Sequence, residues 1–252
     1  MKILIIGMGE VGQGLYKVLS KSYGDIYTKD KEEQIPFKVD VLHICYPYHK
    51  NFAATTNSYI GPYRPELTFI HSTVPVGTTK ELNELLYSEF LDNAVIHAPI
   101  RGDHSCMEKG IELYPMMFGG ENEQDIKKAI DYLAPTLIQG YPVIPSSVSE
   151  LAKLLSLTQY GVAIEFARYA KKCCDKFNVP YEAIKQYTKS YNDFLTQVSN
   201  EDIGENHKKF NLNPPEGRIG GHCVLEGMEK INAQIPTEFI SCLIKGNDEL
   251  VK

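Results

Sequence analysis

The string Gly7-Met8-Gly9-Glu10-Val11-Gly12, close to the N-terminus, constrains the fold of this chain more than any other feature. It follows a compact apolar run, 2–6, of β character. It opens a stretch, 10–22, in which Val11, Leu15, Val18 and Leu19 recur at helical spacing. Between a strand and a helix each glycine of a GxGxxG string has its own task. The first permits a tight turn, the second lets backbone approach a pyrophosphate, and the third lets helix and strand pack closely. The helix start then offers free N–H groups and a partial positive charge to the phosphates. Gly7, Gly9, Glu10, Val11 and Gly12 are therefore the expected dinucleotide-phosphate residues. A second β-type run, 25–28, leads to Asp30, at about the 20-residue spacing expected of a carboxylate on the adenosine ribose. A carboxylate there favours NAD over NADP, whereas Lys29 and Lys31 on either side keep NADP open.

The alternation continues through the first half. Strand candidates at 39–45, 67–71, 94–98, 116–119 and 136–144 are separated by helical stretches at 52–59, 79–90 and 123–133. This pattern predicts an α/β domain over 1–145 with a doubly wound parallel sheet of the Rossmann type. From Ser146 helical periodicity dominates: a long helix near 149–177 under a serine cap, another to about 194, and two short ones near 224–233 and 237–251. The expected second domain, 146–252, is all-helical and serves substrate binding and dimerisation.

Composition sets the outer bounds. The chain has 252 residues, and a formal net charge of −6 gives no electrostatic reason for a nucleic-acid partner. No apolar run reaches the roughly 20 residues of a membrane span, and the apolar part of MKILIIGMGE is too short for a signal peptide. A cytoplasmic location is the expectation. The six cysteines, Cys45, Cys106, Cys173, Cys174, Cys223 and Cys242, form no CxxC pair, so no metal site is expected.

Three further strings carry chemistry. His71-Ser72-Thr73-Val74-Pro75-Val76-Gly77-Thr78-Thr79 lies between a strand and a helix, on the sheet edge where doubly wound folds hold ligands. Ser72 and Thr73 there, with Tyr46 and Pro47 at the end of the preceding strand, complete the expected cofactor residues. A plain N-cap explains Thr78 or Thr79 alone. On the long helix, Lys153 is the only formal charge between Leu151 and Ile164. It is either kept for a purpose or paired with Glu150, three positions earlier. The third string is Pro214-Pro215-Glu216-Gly217-Arg218-Ile219-Gly220-Gly221-His222-Cys223. A helix start and an adjacent imidazole both favour a thiolate, which makes Cys223 the cysteine with nucleophile-like surroundings.

Together these strings resemble the UDP-glucose/GDP-mannose dehydrogenase family, whose members carry GxGxVG, STVPxGTT, a helical KLxxN segment and a GGHC or GGxC loop. The match runs from Met1 to about Glu226. The resemblance implies NAD-dependent oxidation of a sugar-nucleotide alcohol, often in two steps to the acid. It implies Cys223 holding the aldehyde as a thiohemiacetal, Lys153 as general base or electrostatic support, and Thr73 positioning cofactor or water. Gly220, Gly221, His222 and Arg101 fall on the substrate side. Several positions depart from the pattern: Leu157 stands at the family's asparagine and Gly227 at its usual aspartate. Ala98-Pro99-Ile100-Arg101 replaces a glutamate-bearing string, and the family's C-terminal nucleotide-holding domain has no counterpart in these residues. Two other functions stay open: a single oxidation of the β-hydroxyacid or 6-phosphogluconate dehydrogenase kind, with Lys153 as base and Arg101 or Arg218 on a carboxylate, and a dinucleotide-binding protein without catalysis. The long apolar helix predicts a homodimer.

Overall fold

The structure is a computed structural model. It describes residues 1–30, 37–89, 91, 93–102, 104–197, 208–215, 217, 219 and 222–249, without the side chains of His104, His222 and Glu249. The chain divides into two compact units, Met1–Leu154 and Leu155–Lys252.

The first unit is built on seven strands: β1 Ile3–Ile6, β2 Ile26–Lys29, β3 Val41–Ile44, β4 Leu67–Ile70, β5 Ala94–His97, β6 Met116–Gly119 and β7 Gly140–Val143. They form one sheet in the order β2-β1-β3-β4-β5-β6-β7. Alternate residues divide between two cores, as strands buried on both faces require. Ile3 and Ile5 of β1 meet α1 (Glu10–Leu19), α4 (Met107–Leu113) and α5 (Glu123–Leu133) on one face. Leu4 and Ile6 meet α2 (Phe52–Tyr63) and α3 (Thr78–Ser88) on the other.

Four local expectations need correction. The sheet is not wholly parallel: β6 meets β5 antiparallel through the single pair His97↔Gly119, while β6 and β7 run parallel. The last strand covers only Gly140–Val143 of 136–144. Helix α2 runs on through Pro62 to Tyr63, because proline deletes one donor there and Arg64 at φ 47° then ends the helix. Helix α4, which packs on α1 where Gly14 leaves room for Met107, has no counterpart in the predicted elements.

The long helix α6 spans Ser147–Phe177, and the division between the two compact units falls inside it. Its first turns carry Ser149, Glu150 and Lys153, whose hydrogen bonds run to residues of the sheet unit.

The second unit comprises the rest of α6 with α7 (Tyr181–Gln197), α8 (His222–Gln234) and α9 (Glu238–Glu249). Its core is Ile164, Ile219, Val224 and Met228. Helix α8 lies close on α6. A Cβ at Gly161 would stand 2.3 Å from the Met228 sulfur, and one at Gly227 would stand 2.9 Å from Leu157 Cβ. Leu157 is thus seated on the bare backbone of Gly227. The loop before α8 is tied down by Arg168, whose guanidinium donates to Gly217 O and Asn247 Oδ1. That same Oδ1 accepts from Ile219 N at 2.7 Å.

Candidate active site

Gly7 makes the expected tight turn and Gly12 the expected close packing of helix on strand. Gly7 has φ 94°, and a Cβ there would come within 2.6 Å of Tyr46 N, so the turn runs directly against the end of β3. A Cβ at Gly12 would lie 2.0 Å from Gly7 O, which lets α1 start tightly over β1. Among the described residues nothing lies within 4 Å of where a Cβ on Gly9 would stand, so the middle of the loop has room beside it. Gly9 is also the N-cap of α1 and contributes no capping side chain. The exposed Asp30 follows the last residue of β2, and that residue's carbonyl accepts from Gly7 N at 3.0 Å. Asp30 therefore stands one residue past the strand that adjoins the glycine loop.

From this loop a hydrogen-bonded line crosses the carboxyl edge of the sheet. Ser72 Oγ donates to Tyr46 O at 2.6 Å, joining the ends of β4 and β3. Ser72 O faces His97 Nε2 at 3.2 Å, and His97 Nδ1 lies 2.8 Å from Ser149 Oγ on α6. One turn further along α6, Lys153 Nζ donates to Ile100 O at 2.8 Å, just past β5. The glycine loop, Asp30, Tyr46, Pro47, Ser72, Thr73 and Lys153 are thus collected at one edge of the first unit.

Glu150 does not serve as a simple partner for Lys153. It is fully buried, and its two oxygens take Gly77 N at 2.6 Å, Thr79 N at 2.8 Å and Thr79 Oγ1 at 2.7 Å. The N-cap of α3 is Gly77, at φ 100°, rather than Thr78 or Thr79, and it brings no side chain of its own. Glu150 supplies the missing cap from another helix, and its charge suits the positive end of α3. Burial pushes its carboxyl up, while the amides of Thr79 and Gly77 pull it back toward the ionised form.

Arg101 is exposed. Its guanidinium donates to Pro115 O and lies 5.4 Å from the centre of the Tyr114 ring. Cys223 is half-buried at the second position of α8, in the second unit. Gly220, Gly221 and Arg218 lie outside the described residues, as does the side chain of His222. No group of three or more His, Cys, Asp or Glu able to hold a metal occurs among the described residues. Among the same residues no helix is long and apolar enough to cross a membrane.

Three histidines of this edge were not singled out from sequence: His43, His71 and His97, all buried. Their signal was legible as VLHI, TFIH and AVIH, an imidazole at or near the carboxyl end of three successive strands. Burial lowers each of them. His71 is brought to about 4, and its bond to Ala98 O resists the shift. His97 is brought to about 3; its Ser72 contact opposes burial, while His71 and Lys153 add to it. His43 is held well below 6.5 by burial and then by His71. Each native ring thus stays neutral at pH values where the unfolded ring is charged. The resulting stability is complete above pH 6.5 and is lost as pH falls toward the folded values. The slope approaches about 1.4 kcal/mol per pH unit for each ring. Denaturant unfolding at pH 7.5, 6.5, 5.5 and 4.5 is expected to show level stability and then a steep fall. A flat profile down to pH 4.5 would contradict it.

No protein-family model and no curated protein sequence matches the chain. Solved structures do share its fold. UDP-D-ManNAc dehydrogenase from Pyrococcus horikoshii superposes with a TM-score of 0.80 at 17% identity, over 99% of this chain and 69% of that one. GDP-mannose dehydrogenase from Pseudomonas aeruginosa gives 0.63 at 16% identity, over 100% and 69%. The 3-hydroxyisobutyrate dehydrogenase of Mycobacterium tuberculosis gives 0.70 at 14% identity, over 98% and 92%. The fold is therefore a mostly parallel Rossmann-type sheet followed by a helical region, shared with these three dehydrogenases.

Proposed function

We propose that this protein is an NAD-dependent dehydrogenase that oxidises a hydroxyl group of a sugar nucleotide or sugar-like substrate. The observation that carries the proposal is the line of contacts from an open glycine loop to Lys153. It runs from the glycine loop to Lys153 along one edge of one sheet, which supports reading the two as parts of one site. NAD, when bound, supplies the hydride acceptor. Asp30 holds the adenosine ribose, and Ser72 and Thr73 face the nicotinamide end. Lys153, aimed by Ile100 O, takes the hydroxyl proton or steadies the alkoxide as hydride leaves carbon. Where a second step follows, the Cys223 thiol adds to the aldehyde. The thiohemiacetal would then give its hydride to a second NAD, and water would break the C–S bond of the resulting thioester to release the acid and the free thiol.

The single-oxidation alternative draws on one observation. Leu157 on Gly227 places an apolar contact where the resembling family has two polar residues, and in that case Cys223 is structural. A panel of UDP-N-acetylmannosamine, GDP-mannose and 3-hydroxyisobutyrate, followed by NADH absorbance, separates the alternatives. Acid formation that stops in Cys223→Ser, with NAD affinity intact, supports two steps. Turnover unaffected by Cys223→Ser leaves one. Tight NAD binding with no turnover of any member counts for a binding protein instead. Asp30→Ala is expected to narrow the preference for NAD over NADP.

A homodimer in the cytoplasm completes the proposal. Leu155, Phe166 and Phe177 recur every 11 residues along one face of α6, exposed by 50%, 67% and 75%. A stripe of this kind on a soluble helix calls for a cover, and a second copy of the same helix fits it. Light scattering at micromolar concentration is expected to give twice the chain mass of 28.4 kDa; a monomer would refute it.

A further inference from the structure

Strands β4 and β5 are paired as far as Ile70↔His97. Past that point they carry Ser72-Thr73 and Pro99-Ile100, the two segments on which the proposed chemistry depends. The carbonyls of Ser72 and Ala98 lie beyond the last pair. Each is met by an imidazole from the opposite strand: His71 Nδ1 stands 2.7 Å from Ala98 O, and His97 Nε2 stands 3.2 Å from Ser72 O. A carbonyl can only accept, so those two nitrogens carry the hydrogens.

The remaining tautomers follow. The bare Nε2 of His71 accepts from His43 Nδ1 at 2.9 Å, and the bare Nε2 of His43 accepts from the Tyr132 hydroxyl at 2.9 Å. His97 Nδ1 lies 2.8 Å from Ser149 Oγ, whose single proton also reaches Ser146 O at 2.8 Å. With the rings neutral, the chain from Tyr132 through His43 and His71 to Ala98 O has a single direction. Stacking fixes the ring planes as well, since His43 lies within 9° of His71 and within 5° of Phe69.

We infer that His71 and His97 are positioning residues, crossed pins that set the gap between the ends of β4 and β5 and so hold the Ser72-Thr73 segment and the Ile100 carbonyl that receives Lys153. Two routes reach the lysine. His97 holds Ser149, one turn before Lys153 on α6, and His71 holds Ala98, two residues before the carbonyl that receives Nζ. An apolar residue at either position would leave a buried carbonyl without a donor and let the gap relax. The inference rests on the proposed dehydrogenase activity, but its geometry can be read separately.

The test uses the full chain with His97→Ala, His97→Gln and His71→Asn, each amide offering a donor in place of one ring N–H. Turnover is measured with NAD and whichever of the three panel substrates the unaltered protein oxidises, and NAD affinity by calorimetry. His97→Ala is expected to lower kcat about a hundredfold, the cost of a misplacement near 1 Å, while NAD affinity stays unchanged. His97→Gln is expected to recover much of the loss. A kcat for His97→Ala equal to that of the unaltered protein overturns the inference. Should that variant not fold, long-range 1H–15N spectra of the unaltered protein decide. Hydrogen on Nδ1 of His71 and on Nε2 of His97, with both rings neutral at pH 7, supports the pins; the opposite tautomers or charged rings overturn them. Absence of any turnover by the unaltered protein would instead refute the dehydrogenase proposal and leave the spectra to decide the pins.

Discussion

Gly9→Ala is expected to leave the melting temperature where it is and to remove NAD binding. Gly12→Ala is expected to damage both. The added methyl at position 9 enters open space, at a φ of −70° and ψ of −166° that alanine adopts freely. It would occupy room that the pyrophosphate needs, so only the ligand is excluded. At position 12 the same methyl would sit 2.0 Å from Gly7 O and force α1 away from β1. Overpacking of this sort costs about 1–3 kcal/mol, and it also displaces the N–H groups that would face the phosphates. Thermal melts and NAD calorimetry on the two variants form the check. A Gly9→Ala protein that binds NAD normally would show that the loop is a turn without a ligand.

Lys153→Met is expected to lower kcat by about 10²–10⁴, the range of a lost acid–base group, and to keep NAD affinity. Methionine retains the length and the apolar stem but removes the amine that donates to Ile100 O. Substrate KM is expected to change far less than kcat, because the proton is needed at the moment of hydride loss. Steady-state kinetics with the accepted panel substrate provide the check. Equal turnover by Lys153→Met would remove this lysine from the chemistry and leave it as a tie between α6 and the end of β5.

The parts of the site that were legible in sequence are the local ones. The glycine roles follow from a strand, a six-residue string and a helix in direct succession, and the structure repeats the turn at Gly7 and the packing at Gly12. Lys153 was visible as a charge in an apolar helix, but its acceptor is a backbone carbonyl 53 positions away, on a segment that sequence marks only as a departure from a motif. Glu150 was visible only as a neighbour of Lys153. Its real partners lie 71 and 73 positions away, and the glycine N-cap that needs them cannot be recognised without the fold. The histidines were in view in three strand strings. Strand alternation gives only the face of each ring, and their order depends on which strands adjoin. The reversal of β6 rests on a single residue pair and has no periodic signature at all.

The seat of Leu157 on Gly227 has a consequence for how this chain can change. The resembling family carries asparagine and aspartate at these two positions. Asparagine placed alone at 157 would set an amide against a bare helix backbone inside an apolar contact. Aspartate placed alone at 227 would drive its Cβ to within 2.9 Å of the leucine. Asparagine at 157 keeps the Cβ that a side chain at 227 would meet at 2.9 Å, so the polar pair also needs the two helices to move apart, and the two positions are coupled and their effects do not add. A path between the two states passes through a less stable protein whichever step comes first. The apolar pair is therefore tied to the close spacing of α6 and α8, and a polar pair calls for both replacements together with a wider gap between these helices.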